Sequence, residues 1–333
     1  MRESRPVTLI TVARQAGVSK TTASDALTGT GRVSPATRDR VMQTATMLGY
    51  VPNSSARHLR RAVTGTIGLH LPEVLTRSDY YMRFVFGAVD QAAAHGYDLT
   101  LITSGHGSVR PRLPRVDGIV LGDPLGGDAA VEHLIGSELP IVTCERFPGR
   151  DVLDGVVRSE HDAALRVLLD HLHDAGARRP ALVVSSGESD WAADLGRGYR
   201  EWCREHRVEP RIRTITFGSG TEAAAPAAAD LLSAHPDTDA LVCGPDGAAA
   251  AALPVIRAAG REAGRDLLLA SCVDSPAMAE ADPPITAIDL RPREAGARCA
   301  ELLFEVLNGS APPGTERIHP IALVPRASTQ GTH

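Results

Sequence analysis

The chain has 333 residues, a length typical of two domains with room for a small third. Hydrophobic residues make up 43% and charged residues 23%, which excludes collagen-like and intrinsically disordered chains. No apolar run approaches the ~20 residues of a membrane-spanning helix, and the first fifteen residues lack a signal-peptide core. The five cysteines are at least 27 residues apart, which predicts free thiols in a reducing compartment and therefore a cytoplasmic protein.

The net charge of −5 conceals an uneven distribution. Residues 1–62 contain ten lysine or arginine residues and three acidic residues, a net charge of +7, so the remaining 271 residues carry −12. A basic segment joined to an acidic body is typical of a nucleic-acid-binding module attached to a domain that avoids nucleic acid. A basic tail without a specific role is the simpler alternative, but such a tail would lack hydrophobic periodicity.

Periodic apolar residues in the N-terminal segment predict three short helices. Thr8 is a candidate N-cap of the first helix. Gly17 supplies a tight turn before Ser19, the candidate N-cap of the second, and Ser34 and Pro35 begin the third. Three short helices with a glycine turn between the first two predict a helix-turn-helix, which excludes a structureless tail.

The second of these helices is expected to enter the DNA major groove with its N-terminal residues against the base edges. Lys20 can donate to guanine, and Thr21 can donate, accept or touch a thymine methyl group. Hydroxyl groups at helix starts suit phosphate contacts, although Ser19 and Ser34 can also be caps alone. The predicted headpiece contacts to DNA are Thr8, Ser19, Lys20, Thr21, Thr22, Ser24, Asp25, Ser34, Thr37 and Tyr50.

Residues 7–61 resemble, without a gap, the DNA-binding headpiece of the lactose-repressor (LacI/GalR) family of bacterial transcription regulators. The resemblance rests on AGVS, the T-x-S core of the recognition helix, the V-S-x-x-T-R segment and G-Y-x-P-N. Asp25 stands where the family usually has an arginine that contacts guanine. An aspartate suits a cytosine amino group or makes no base contact, so the operator sequence is left open.

Residues 52–62 correspond to the hinge helix of that family. Asn53 caps a segment of about eight residues, which is too short to be a stable helix alone. The arginines of this segment, among them Arg57, repel one another in the free protein. DNA phosphates would neutralise their charges, so we expect the segment to be disordered alone and to become helical on DNA. By resemblance, Leu59 is an apolar wedge in the minor groove, and Ala56 lets two hinge helices approach. A core leucine is the alternative at Leu59.

From residue 66 onward, short apolar strands alternate with helix-length segments, which predicts parallel sheets covered on both faces. The predicted strands are 66–71, 99–103, 118–121, 141–144, 181–185, 212–217, 240–243, 267–271 and 285–288. The predicted helices include 82–95, 162–175, 222–234, 246–259 and 291–307. So many units suggest two lobes, with a ligand bound between them at the C-terminal ends of the strands.

The body resembles the effector domain of the same family, a two-lobed α/β fold shared with periplasmic sugar-binding proteins. The resemblance rests on the order of segments such as TGTIGLHLP, VDGIVLG, LPIVTCERFP and LVPRAST. We therefore predict a helix-turn-helix DNA-binding domain at 1–51, a hinge helix at 52–62 and an effector-binding and dimerisation domain at 63–333. The first lobe is expected at about 63–158 and 290–329, and the second at about 159–289.

The resemblance implies effector contacts at Tyr80, Tyr81, Leu195, Asp246 and Asp274. The tyrosines lie where four of the twelve aromatic residues fall within seven positions, which favours a stacking platform or, equally, a dimer interface. Leu195 replaces the family's arginine, and Pro245-Asp246 replaces an Asn-Asp pair. Because two polar sugar clamps are missing, the effector is expected to be a sugar or another metabolite.

Two motifs and one other class of protein are alternatives to this assignment. Residues 218–223, GSGTEA, fit the dinucleotide fingerprint G-x-G-x-x-A, but Glu222 would repel a pyrophosphate, which favours a glycine loop capped by Thr221. His171 and His173 lie two residues apart on a predicted helix, so they cannot chelate one metal ion there. A periplasmic solute receptor shares the two-lobed body, but the missing signal peptide and the headpiece oppose it. In segment 105–115, two prolines disfavour the family's usual helix.

The prediction is therefore a homodimeric, ligand-responsive repressor that binds a near-palindromic operator and is not an enzyme. No metal or cofactor is expected. A small molecule between the lobes is expected to control the order of the hinge helices. The residues leave open whether it releases the protein from DNA or strengthens binding, which genes are regulated, and whether the oligomer exceeds a dimer.

Overall fold

A computed structural model of the chain describes residues 7–50, 63–72, 78–102, 115–150 and 153–330. The chain forms two compact units, residues 1–64 and residues 65–333, and each is described here by itself. The predicted hinge residues Asn53, Ala56, Arg57 and Leu59 lie outside the described residues, as does nearly all of the proline-containing segment 105–115.

The N-terminal unit contains the three predicted helices, α1 (Leu9–Gln15), α2 (Lys20–Thr28) and α3 (Pro35–Met47). Their N-caps are Thr8, Ser19 and Ser34, and each side chain accepts a hydrogen bond from the backbone N–H three residues later. Gly17 has φ +66°, a conformation that glycine adopts without strain. The helices bury a small-residue core: Val12, Ala13, Ala16, Ala23, Ala26, Val41 and Ala45. The predicted helix-turn-helix is confirmed.

The first lobe is a six-stranded parallel sheet in the order β11-β5-β4-β3-β1-β2. Its strands are β1 (Thr66–His70), β2 (Asp98–Ile102), β3 (Ile119–Gly122), β4 (Ile141–Cys144), β5 (Gly155–Arg158) and β11 (Thr315–Ile318). Helices α4 (Asp79–Ala94) and α11 (Pro292–Asn308) pack with one apolar cluster, and α5 (Ala129–Ile135) packs with the cluster on the other face. Both faces are therefore covered, as expected of a parallel sheet.

The second lobe repeats this plan in a sheet of order β12-β10-β9-β8-β6-β7, in which only β12 runs antiparallel. Its strands are β6 (Pro180–Ser185), β7 (Ile212–Ile215), β8 (Ala240–Cys243), β9 (Leu268–Ser271), β10 (Thr286–Asp289) and β12 (Ala322–Val324). Its helices are α6 (His161–Asp174), α7 (Asp190–His206), α8 (Gly220–Ala234), α9 (Ala248–Ala258) and the short α10 (Pro276–Ala279). The predicted two-lobed α/β fold with parallel sheets is confirmed.

The structure corrects the predicted lobe boundary at the C-terminus. Residues 290–329 were all expected in the first lobe, but only α11 and β11 belong there. Residues Ala322–Val324 pair with β10 in the second sheet, and the 3₁₀ turn Ala327–Thr329 follows beside it, where Ser328 Oγ accepts from the Thr286 N–H. The chain therefore passes between the lobes three times, because one more strand completes the edge of the second sheet.

Three further predictions can be compared with the structure. The α8 helix begins at Gly220 with Ser219 as its N-cap residue, so the predicted cap at Thr221 is wrong. His171 donates to or accepts from Thr329 Oγ1 at 2.7 Å, whereas His173 lies edge-on to Trp202, so the two histidines face different neighbours. All five cysteines are buried and free, in agreement with the prediction.

Candidate DNA interface and interlobe site

The first turn of α2 presents the predicted base-reading side chains, because Lys20 and Thr21 are both exposed. Next to them, the hydroxyls of Ser19 and Thr22 lie 2.8 Å apart at the helix N-terminus. Ser34 and Thr37 repeat this arrangement at the start of α3. Exposed hydroxyls and free backbone N–H groups at helix N-termini form suitable partners for phosphate.

Asp25 takes a different position from its exposed neighbours. It is half-buried, and its carboxylate lies over the loop that follows α2, so a methyl group added to Gly31 would come within 2.6 Å of Asp25 Oδ2. Ser24 is also half-buried, and Tyr50 packs partly against the headpiece core. The residue that departs from the family pattern thus contacts its own chain, which fits the alternative of no base contact.

The second unit contains a cavity between its two lobes, with about 810 Å³ of empty space including its open mouth. The first lobe contributes Ser78, Tyr80, Tyr81, Asp123 and Glu145 to its walls. The second contributes mainly His161, Ser185, Trp191, the loop 216–218 and Asp246. Three of the five predicted effector residues, Tyr80, Tyr81 and Asp246, are therefore together.

Asp123 directly follows β3 in a left-handed conformation, φ +48°. Tyr81 donates to Asp123 Oδ2 at 3.0 Å, but the buried Oδ1 atom has no hydrogen-bond partner. Burial raises the pKa of Asp123 to about 7; the hydrogen bond from Tyr81 opposes this rise and the nearby Glu145 carboxylate adds to it. Backbone strain combined with an unpaired buried acceptor is typical of a binding site.

Glu145 directly follows β4 and is also left-handed, with φ +65°. Its carboxylate accepts from the Ser159 N–H at 3.3 Å and lies 3.0 Å from His161 Nε2. The His161 nitrogen is not aligned for a hydrogen bond with this carboxylate. Burial lowers the pKa of His161, but the carboxyl groups of Glu145, Asp194 and Asp123 together outweigh this effect, so the pKa is raised. The buried pair thus favours an imidazolium beside a carboxylate.

Trp191, in the first turn of α7, contributes an indole ring that is 9% exposed. Its Nε1–H is buried and has no hydrogen-bond partner, although the residue lines the cavity. A buried donor without a partner is costly, so a bound molecule that accepts from it gains affinity. Trp191, His161 and Asp123 together offer unpaired polar atoms toward one cavity.

Besides the Glu145–His161 pair, two hydrogen bonds join the lobes. Ser78, the N-cap residue of α4, donates through Oγ to Asp246 Oδ2 at 2.9 Å instead of capping its own helix. The Gly126 N–H donates to the Glu188 carbonyl at 2.7 Å. Asp246 therefore holds the two lobes together in this conformation, in addition to lining the cavity.

The structure does not bring the other two predicted effector residues to the cavity. Leu195 is 1% exposed and belongs to the apolar core of the second lobe, because α7 turns that face toward the sheet. Asp274 forms a two-pronged ion pair with Arg326, with both N–O distances 2.8 Å. Its carboxylate thus joins the C-terminal segment to the second lobe, and neither Leu195 nor Asp274 is among the residues that line the cavity.

The sequence interpretation missed Asp123, Glu145, His161 and Trp191. A signal was available for the two acids, since each comes directly after a fully buried strand, IVLG and IVTC. Side chains that follow parallel strands meet at one edge of the sheet, where ligands bind. No comparable pattern marks His161 or Trp191, which reach the cavity from the first turns of two helices.

Known proteins match the chain over nearly its whole length. Residues 8–53 match the family described as bacterial regulatory proteins, lacI family, and residues 169–329 match the periplasmic binding protein-like domain. The HTH-type transcriptional regulator CelR of Thermobifida fusca is 30% identical over 344 residues, covering 97% of each chain. The chain belongs to the lacI family of bacterial regulatory proteins.

Other members of the lacI family agree with this assignment. The repressor CytR of Escherichia coli K12 is 26% identical and covers 99% of this chain and 98% of its own. A solved CelR–cellobiose complex superposes with a TM-score of 0.73 at 27% identity, covering 97% of this chain and all of that one. The lac repressor dimer bound to operator and anti-inducer has the same fold, with a TM-score of 0.78, 22% identity and coverage of 98% and 99%.

Membership of the lacI family makes the chain a DNA-binding transcriptional regulator and not an enzyme. Among the residues that the structure describes, no helix is long and apolar enough to cross a membrane. In the same part of the chain, no three His, Cys, Asp or Glu side chains are grouped to hold a metal ion.

Proposed function

We propose that the chain is a homodimeric, cytoplasmic repressor whose affinity for a near-palindromic operator is set by a small molecule bound between the lobes. Two headpieces read the two half-sites with α2, and the hinge residues 52–62 fold over the minor groove between them. The effector acts because it favours one arrangement of the lobes over another. Both induction and corepression are compatible with this scheme.

One observation carries the proposal: a single chain joins a helix-turn-helix that exposes Lys20 and Thr21 to a two-lobed unit with an internal cavity lined by aromatic and polar side chains. A solute receptor that does not bind DNA needs no helix-turn-helix, and a repressor without an effector needs no interlobe cavity. The basic N-terminal segment, with a net charge of +7 over residues 1–62, supplies the attraction to phosphate.

The effector is proposed to be a sugar or a sugar-like molecule. The cavity has the aromatic walls and convergent polar atoms that a polyhydroxylated ring requires. The relative solved with cellobiose, at 27% identity over nearly the whole chain, supports the same class. The arginine expected of the family is absent at Leu195, so the polar contacts come instead from Asp123, Glu145, His161 and Trp191.

The DNA-binding part of the proposal can be tested by selecting duplexes from a random pool with the full-length protein. We expect enrichment of a motif with two-fold symmetry, because a symmetric dimer imposes its symmetry on the operator. Enrichment of a single asymmetric half-site would contradict the dimer, and no enrichment above non-specific binding would contradict the function.

Two substitutions with the same change of charge separate base reading from phosphate contact. Lys20→Ala should relax the motif at one position per half-site, at a cost of about 1–3 kcal/mol on the preferred sequence. Arg57→Ala should weaken all sequences similarly and flatten the dependence of log Kd on log salt by about one unit per phosphate contact. Equal losses on specific and random DNA for Lys20→Ala would remove its base-reading role.

A further inference from the structure

We propose that the effector is an aminated polyol whose protonated amine pairs with Asp123 and whose hydroxyl oxygens accept from Trp191. This inference rests on the proposed function, since it assigns chemistry to the same interlobe cavity. It goes beyond that function by committing to the charge of the ligand, which the family and the fold leave open.

The first support is the balance of charge around the cavity. Among the described residues that line it, the ionisable acids are Asp123, Glu145 and Asp246, and the only basic side chain is His161. His161 is already matched with Glu145 at 3.0 Å, and Asp246 accepts from Ser78. Asp123 forms no ion pair among these residues, although His161 attracts it at longer range, so a positively charged ligand group beside it would complete the balance.

The second support is the geometry at Asp123. Its Oδ2 atom is occupied by Tyr81, whereas its buried Oδ1 atom has no partner. The backbone conformation at φ +48° is one that non-glycine residues rarely adopt, and the carboxyl group lies at the C-terminal end of β3 beside the cavity. A donor on the ligand would satisfy the orphan oxygen, and an ammonium donor forms the stronger, charge-assisted hydrogen bond.

The third support is independent of the acids. Trp191 is 9% exposed, lines the cavity and has an unpaired buried Nε1–H, which calls for an acceptor on the ligand. The rings of Tyr80, Tyr81 and Phe217 line the same cavity. Aromatic faces attract both the C–H faces of a polyol and a cation near them. Amine and hydroxyl groups on one molecule satisfy all of these residues.

Burial of an unpaired carboxylate also predicts a proton exchange on binding. Because the pKa of Asp123 is raised to about 7, this group is partly protonated at neutral pH. An adjacent ammonium group stabilises the ionised form, so binding should release a fraction of a proton at pH 7. A neutral polyol would not release it.

The test compares three probes built on the same six-carbon polyol chain that differ in charge at C1: N-methyl-D-glucamine, which is cationic, D-glucitol, which is neutral, and D-gluconate, which is anionic. Binding to the full-length protein at pH 7 is measured by calorimetry in two buffers with different ionisation enthalpies. We expect N-methyl-D-glucamine to bind about tenfold more tightly than D-glucitol, with proton release, because the hydrogen bond becomes charge-assisted. D-gluconate should bind most weakly.

Asp123→Asn keeps the shape of the side chain and removes its charge, so the preference for the amine should fall to within about twofold of the neutral probe. Asp90→Asn makes the same change of charge in an exposed pair with Arg293 outside the lining of the cavity, and should keep the preference. Proton release in the wild-type protein needs no variant and remains informative if Asp123→Asn folds poorly.

Equal binding of the cationic and neutral probes, a preference for D-glucitol or D-gluconate, or no detectable binding of N-methyl-D-glucamine would each overturn the inference. Operator selection by the same protein preparation distinguishes these results from failure of the proposed function. If the protein enriches a symmetric motif but prefers a neutral sugar, the proposed regulatory function stands and only the inference of a cationic effector is wrong.

Discussion

Asp123 combines three properties that rarely occur at one residue: a left-handed backbone, a carboxyl oxygen with no partner and a pKa raised to about 7. Each has a cost in the folded protein, since strain, an unpaired acceptor and a desolvated charge all oppose folding. Such a residue is typical of a site where a bound ligand offsets this cost in free energy. The free energy of unfolding of the ligand-free protein should therefore depend on pH through the titration of Asp123.

The first prediction concerns the pH dependence of stability. Between pH 4 and 7 the folded state keeps a proton on Asp123 that the unfolded chain has lost, so the free energy of unfolding should decrease as pH rises and level off above pH 7. Asp123→Asn cannot titrate and should remove this part of the slope, which amounts to roughly 4 kcal/mol at most. Denaturant unfolding from pH 5 to pH 8 measures it.

The neighbouring groups that act on Asp123 are Tyr81, Glu145, His161 and Asp190, and they remain in the variant. The difference between wild type and Asp123→Asn therefore isolates one carboxyl group. A variant that gains no stability relative to wild type between pH 5 and pH 8 would show that Asp123 is not desolvated in the ligand-free protein.

At the residue scale, the sequence allowed the caps Thr8, Ser19 and Ser34 to be predicted, because an N-cap acts within three residues of itself. It did not allow the cavity residues to be assigned reliably. Asp274 occupies a familiar position, but its partner Arg326 is 52 residues away, and no local pattern reveals that pair. Family position alone thus predicted an effector contact at a residue that forms an ion pair in this structure.

At the scale of elements, helices α4 and α11 meet at two glycines. A methyl group on Gly87 would overlap the Arg293 carbonyl oxygen, and one on Gly296 would overlap the Phe84 carbonyl oxygen. The helices therefore approach with backbone against backbone, which only glycine permits. This crossing also fixes α4, and with it Tyr80 and Tyr81 at the cavity.

The second prediction is that Gly87→Ala lowers the free energy of unfolding by about 3 kcal/mol or more, since neither backbone can move away without separating the helices. Chemical denaturation of the full-length variant measures the loss. Gly187→Ala is the matched control, because nothing lies within 4 Å of its added methyl group. A loss for Gly87→Ala no larger than that for Gly187→Ala would show that the helices do not cross as described.

The third prediction concerns the segment after β11. Asp274→Ala should destabilise the protein by about 1–3 kcal/mol, because Arg326 loses a two-pronged partner while both side chains are 18% exposed. The ligand response should survive, in contrast to the role first expected of Asp274. Asp90→Ala, which removes a pair with 58–66% exposure, should cost less than about 0.5 kcal/mol. Loss of ligand binding by a folded Asp274→Ala protein would restore Asp274 to the site.

Most elements of the body followed from apolar runs bounded by turn residues, and two predicted strands, Ile141–Cys144 and Ala240–Cys243, have the observed bounds. Three strands were missed: Gly155–Arg158, a buried four-residue run inside the first sheet, and two edge strands whose omission has a physical reason. Thr315–Ile318 is a polar edge strand with alternating exposure, and Ala322–Val324 is only three residues long. Such segments become strands because a sheet edge is available to them, which is a property of the tertiary fold and not of their own sequence.

At the scale of the effector-binding unit, the bonds Ser78–Asp246 and Gly126–Glu188 and the Glu145–His161 pair join lobes whose sheets are separate. Each neutral hydrogen bond of this kind is worth only about 1 kcal/mol. We therefore expect the lobes to separate and close without unfolding, as a ligand-controlled regulator requires. The Gly126 amide is a natural reporter of that motion.

The fourth prediction is that Ser78→Ala speeds hydrogen exchange of the Gly126 amide by about fivefold, the equivalent of one lost hydrogen bond, because the lobes open more often. The Gly68 amide, which donates to the Gly118 carbonyl within the first sheet, should exchange at its wild-type rate. Unchanged exchange at Gly126, or equal acceleration at Gly68, would mean that Ser78 does not restrain the lobes.

At the scale of the whole molecule, we propose that ligand binding in the interlobe cavity is coupled to operator binding by the headpiece. The most direct measurement is the Kd of the full-length protein for its selected operator, by fluorescence anisotropy at fixed salt, with and without a saturating cavity ligand. We predict a change of about 5- to 150-fold, the usual range of allosteric coupling, and its loss in a variant that no longer binds the ligand. An operator Kd that stays the same when the cavity is filled would contradict the account.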